Sequence, residues 1–168
     1  MKQSKIIATC GMMAALAIVI MIVGGFLGIG MYASPMFAGL SLVPIGEKFG
    51  KKYHICLWLA VSMLSFMLVP EVEQNLMFFG LFGWYPILYP TLQKLPKLLR
   101  VIVKLALFNG VVIAIEALVI LVLVPEVLGA GILSVLLLMG NVIFLLYDLL
   151  IPKMNFLLRR FAALIALM

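Results

Sequence analysis

Apolar residues run in long blocks along this chain, with short polar stretches between them. Six blocks stand out, over residues 6–29, 32–46, 53–69, 76–92, 98–124 and 128–151. A helix that crosses a bilayer needs roughly 20 mostly apolar residues; the second block is short for a span and the others are near or above that length. The pattern predicts an all-α integral membrane protein, one domain over residues 1–168, folded as a bundle of six transmembrane helices. Residues 154–168 carry Arg159 and Arg160 among Phe and Leu and are expected to lie on the membrane surface as an interfacial tail. Pro86 and Pro90 fall inside the fourth block and should kink it beside Trp84 and Tyr85. The carbonyls they free are tolerable only where they face protein or a cavity. Gly24, Gly25, Gly28 and Gly30 make the first connection pliable.

The charges orient this bundle. With six spans and the N-terminus inside, all 12 Lys and Arg residues lie on the cytoplasmic side. The opposite connections carry Glu71, Glu73 and Glu126 and no basic residue. That is the positive-inside distribution, and it favours the short second block as a span, because otherwise Lys48, Lys51 and Lys52 would face outward. Both termini are therefore expected to be cytoplasmic, in a plasma membrane, and no cleavable signal peptide is expected, since the first apolar block is too long for one.

Composition agrees and narrows the functions. Of 168 residues, 67% are hydrophobic and 11% charged, with a mean hydropathy of +1.33, against about half apolar and a quarter charged in soluble domains. The net charge of +6 is accounted for by loop bias, so no nucleic-acid partner is expected. Phosphate-loop, nucleophile-elbow and zinc-protease motifs are all missing from the chain. His54 sits beside Lys51 and Lys52 at a block edge without catalytic companions. Cys10 and Cys56 with one histidine make a poor metal set. An enzyme, a metal and a cofactor are therefore not expected.

The polar residues inside the blocks carry what chemistry there is. Asn109 and Asn141 fall near mid-membrane on the fifth and sixth helices, where an interhelical hydrogen bond accounts for them. Lys104 and Asp148 fall near the inner ends of the same helices and should pair or snorkel. Glu116 differs, because it lies in the outer half, about 8 residues or roughly 12 Å from the far end of its block. A carboxylate in hydrocarbon is costly and marks a functional candidate. Counting along antiparallel neighbours places Trp84 and Ser134 at its level, with Tyr85 adjacent and Gln74 and Asn75 at the entrance. Such a set suits a small cationic or aromatic solute; the alternative is a protonated Glu116 bonded to a neighbouring helix. On the first helix, Gly11 and Ala15 form a small-residue pair that lets another helix, internal or from a second subunit, approach closely.

Six short helices with both ends inside, a small-residue face early in the first helix and an outer polar and aromatic cluster resemble the substrate-binding (S) components of energy-coupling factor transporters. The likeness covers the whole chain in size and layout. The family's Ala-x-x-x-Ala signature has its nearest equivalent in Gly11-Met-Met-Ala-Ala15, and Phe82-Gly83-Trp84-Tyr85-Pro86-Ile87 looks like a segment of membrane proteins of this group. The resemblance implies a non-enzymatic binding subunit for a vitamin or other micronutrient, seated under the first outer loop between helices four to six. It also implies docking on a transmembrane coupling subunit whose paired ATPases drive transport. Two other readings remain: a membrane scaffold similar to the rod-shape-determining proteins, and a stand-alone ion-coupled carrier in which Glu116 titrates.

Overall fold

The chain is described by a computed structural model that covers the backbone of residues 3–27, 32–122 and 130–166, with side chains described at 3–27, 32–119, 137–154 and 156. Within these limits the fold is all-helical. The helices are α1 Gln3–Phe26, α2 Ala33–Phe49, α3 Lys51–Leu68, α4 Val72–Met77, a π-helical turn Phe78–Phe82, α5 Tyr85–Leu92, α6 Lys97–Val122 and α7 Ala130–Ala166. Three segments are long and apolar enough to cross a membrane, Gln3–Phe26, Lys97–Val119 and Leu137–Met154. Their outward faces remain apolar, as at Ile7, Met12, Leu98, Ile102 and Leu138, all exposed. That surface needs a hydrocarbon solvent rather than water. The chain is a multi-pass membrane protein by this measure.

The short second block is the centre of the structure. In α2, Ser34, Pro35, Met36, Ala38, Gly39, Leu40, Ser41, Leu42, Val43 and Ile45 are all buried. Between Ser34 and Ile45 only Phe37 is exposed, so the helix has no wet face to show, and small residues at Ala38, Gly39 and Ser41 allow neighbours to approach its backbone closely. On one side α2 packs with α1 and α3 around Ala17, Met21, Leu42, Leu57 and Val61. On the other it meets an aromatic cluster of Phe82, Tyr85, Phe108, Phe144 and Tyr147 contributed by the π-turn, α5, α6 and α7. Phe108 and Phe144 stack at 4.8 Å, and Phe82 meets Tyr147 edge-on at 5.1 Å. The polar stretch between the second and third blocks is mostly helical, and a single residue, Gly50 at φ +99°, makes the turn. Only glycine adopts that conformation without strain.

Two expectations from the sequence change. Residues 154–166 do not form a separate helix but continue α7 through Pro152 to Ala166; one proline removes one rung of the ladder and need not end a helix. The fourth block does break beside Trp84 and Tyr85, but the break begins before the prolines, in the π-turn Phe78–Phe82. Pro86 then stands in the first turn of α5, where a missing N–H costs little.

Candidate functional site

The bundle has an acidic end, where Glu71 and Glu73 lie, and a basic end, where Lys48, Lys51, Lys94 and Lys97 lie. At the acidic end Glu116 is 3% exposed. The Tyr32 hydroxyl donates to its Oε1 at 3.5 Å, while Oε2 has no partner among the described residues. Gln74 is buried on α4, and its Nε2 donates to the Met21 carbonyl at 3.0 Å and to Ser34 Oγ. Asn75, also buried, donates from Nδ2 to the Val69 carbonyl at 2.9 Å. A carbonyl can only accept, so both amides are fixed with nitrogen toward the backbone. Gln74 Oε1 and Asn75 Oδ1 are thereby left buried without donors among the described residues. Glu73 joins the group from the same connection; burial first, then the neighbouring charges of Glu116 and Glu71, push its carboxyl above the usual range.

Glu116, Gln74 and Asn75 thus share one end of the bundle. Trp84 and Tyr85 do not join them, which corrects the expected ring wall. The sequence begins the fourth helix at Leu76, whereas the connection before it is already helical from Val72. Starting a turn earlier moves the register, so a side chain at Gly80 would meet Val111 and Ile115. The residues level with Glu116 are therefore those around Asn75 to Phe79, and Trp84 lies deeper, donating from Nε1 to the Gly80 carbonyl at 2.8 Å. Tyr85 donates to Asp148 Oδ1 at 2.5 Å. The Tyr85 ring packs on Phe144, which stacks on Phe108, so Tyr85 lies about two turns of α6 below Glu116. The pairs Asn109 with Asn141 and Lys104 with Asp148 set the register between α6 and α7. That register brings the α7 backbone near residue 134 level with Glu116, while the side chain of Ser134 lies outside the described residues.

Asn109 and Asn141 bond reciprocally, at 2.8 and 3.2 Å. Each also donates to the carbonyl one turn back in its own helix, at 2.9 and 2.7 Å. Lys104 reaches both oxygens of Asp148 at 2.6 Å and lies over the Tyr89 ring at 4.8 Å. Both pairs are closed networks with a structural task. Gly11 and Ala15 are exposed on α1, and nothing lies within 4 Å of a side chain built at Gly11. Their small-residue face therefore meets no helix of the described chain.

The sequence did not assign three residues that the fold uses. Tyr32 and Ser34 open α2 beneath the glycine-rich connection and supply partners to Glu116 and Gln74. A tyrosine and a serine just after that connection were the available signal. His54 is buried at 2% exposure and its Nε2 lies 2.9 Å from the Gly83 carbonyl. That carbonyl lacks its helical donor because Ile87 N–H bonds Trp84 instead. The histidine is a brace for the kink.

Two clefts lie toward the basic end. One of about 240 Å³ is lined by Glu47, Lys51, His54, Pro86 and Ile87 among others. The second, of about 270 Å³, is lined by Tyr89, Gln93, Arg100, Lys104 and Asp148 among others. Comparison with models of known protein families, with curated proteins and with solved structures finds no match for this chain.

Proposed function

We propose that the chain is the membrane-embedded, non-enzymatic binding subunit of a micronutrient uptake system of the energy-coupling factor type. In this reading it has six spans, both termini in the cytoplasm and the acidic end facing outward across the plasma membrane. The observation that carries it is the set of buried acceptors at the acidic end that have no donor among the described residues, Glu116 Oε2, Gln74 Oε1 and Asn75 Oδ1. Buried acceptors without donors cost about 1–3 kcal/mol each, so three on one end are best accounted for by an occupant that donates. A small cationic solute with several N–H or O–H groups has that chemistry, and Glu73 and Glu71 would raise its local concentration. Exposed Gly11 and Ala15 supply a close-approach face for a coupling subunit, whose ATPases would provide the energy that this chain has no motif to obtain.

Purified protein, screened by thermal shift against vitamins and small amines, tests the reading. One compound class should raise the melting temperature of the wild type and fail to raise that of Glu116→Gln, while Trp84→Phe keeps the response. A flat profile across the panel, with crosslinks to other membrane proteins, would favour the scaffold instead. Uptake into proteoliposomes without any ATPase would favour a stand-alone carrier.

A further inference from the structure

The cleft of about 270 Å³ between α5, α6 and α7 has no part in the reading above. It is smaller than the roughly 300–1,000 Å³ that encloses drug-sized ligands. Its charges are unevenly used. Lys104 is committed to both oxygens of Asp148 and to the Tyr89 ring, so that carboxylate is neutralised where it stands. Arg100 is not committed. A guanidinium offers five N–H donors in a planar fork, and among the described residues its only hydrogen bond runs from Nη1 to Gln93 Oε1. Gln93 thereby fixes one edge of the fork and leaves the rest available. Lys94, Lys97 and Lys153 stand exposed on neighbouring turns and add to the positive potential. Beside the polar floor, Val101, Leu145 and Leu149 are 49%, 48% and 61% exposed, so the cleft flanks an apolar surface of the kind that lies in lipid.

A fixed guanidinium at the basic end of a span, next to an open apolar flank, matches one chemistry: a phosphodiester with acyl chains attached. We propose that this cleft binds the headgroup phosphate of an anionic phospholipid of the cytoplasmic leaflet, with Arg100 as its principal ligand. The phosphate takes the free edge of the fork, as planar forks favour for phosphate oxygens. The acyl chains run along Val101, Leu145 and Leu149. The exposed lysines on neighbouring turns supply the attraction that basic residues contribute near an anionic surface. The inference rests on the orientation proposed above and not on the solute site, so the two can fail separately.

Native mass spectrometry of the detergent-purified full chain, titrated with phosphatidylglycerol or phosphatidylcholine, tests it. The wild type should retain phosphatidylglycerol about fivefold better, as expected from one engaged basic residue. Arg100→Gln should bring the two lipids close to parity, Arg100→Lys should keep part of the preference, and Lys48→Gln, on α2 away from the cleft, should keep all of it. Circular dichroism melts run beside each variant identify any that has lost its fold, and Arg100→Lys, which retains the charge and the stem, then carries the comparison. Equal retention of both lipids by the wild type overturns the proposal. So does an equal loss in Lys48→Gln and Arg100→Gln, which would mean diffuse surface charge. Glycerol 1-phosphate displacing the lipid at equal concentration would identify a soluble-anion site and overturn it as well.

Discussion

Replacing Tyr147 with Phe tests the logic of the kinked helix most directly. Pro86 has no N–H, so the carbonyl of Phe82, four residues earlier, has no helical donor. The Tyr147 hydroxyl takes that place, donating to it at 2.6 Å. Both residues are fully enclosed, at 0% exposure, so water cannot substitute. Phenylalanine keeps the ring and its edge contact with Phe82 at 5.1 Å and removes only the donor. A buried carbonyl left unpaired costs about 1–3 kcal/mol, whereas interhelical bonds in membrane bundles average about 0.6 kcal/mol. Full enclosure places this one toward the upper figure, and a loss of about 1–2 kcal/mol is expected. Equilibrium unfolding in mixed micelles, followed by tryptophan fluorescence, measures it. The decisive arm is the Pro86→Ala background, in which residue 86 regains an N–H for the same carbonyl. There Tyr147→Phe should cost half as much or less. An equal cost in both backgrounds would refute the substitution of hydroxyl for amide, and no cost in either would remove the bond from the stability of the fold.

Lys104→Met alone should destabilise by about 3–5 kcal/mol, because it strands Asp148 in a largely buried place; the double variant Lys104→Met with Asp148→Leu should recover most of that in the same unfolding assay. Gly39→Ala should lower the melting temperature sharply, since a methyl there overlaps the Phe82 carbonyl and the Tyr147 hydroxyl, and a melt unchanged from wild type would refute the close approach of α2. Glu73 has its carboxyl raised above its ordinary 4.5 by burial and by Glu116 and Glu71. The folded state therefore holds its proton more tightly, so its stability is greatest below the ordinary value and declines as pH rises through the raised one. Relative to Glu73→Gln, the wild type should lose melting temperature as pH rises above about 4; a difference that is flat, or that grows with pH, would contradict the burial of this group.

The sequence by itself determined the solvent, the helical class and most helix limits, because apolar blocks of spanning length and the placement of charge are properties of composition along a line. It also determined the closed pairs of α6 and α7. Asn109, Asn141, Lys104 and Asp148 lie on two adjacent antiparallel helices, where helical rise alone sets which residues are level. What lies around Glu116 was decided only in three dimensions. Counting from Leu76 aligned Trp84 with it, but helix formation from Val72 and the packing of Gly80 against Val111 and Ile115 brought the turn from Asn75 to Phe79 level instead. The Tyr32 contact and the bracing of Gly83 by His54 join residues 84 and 29 positions apart, and the central burial of α2 needs α1, α3 and the aromatic cluster packed around it. Hydropathy along the chain measures preference for lipid, and it is blind to whether an apolar helix faces lipid or other helices. Only packing distinguishes the two, and packing placed the shortest apolar block at the centre and, at one end, the acceptors that have no donor among the described residues.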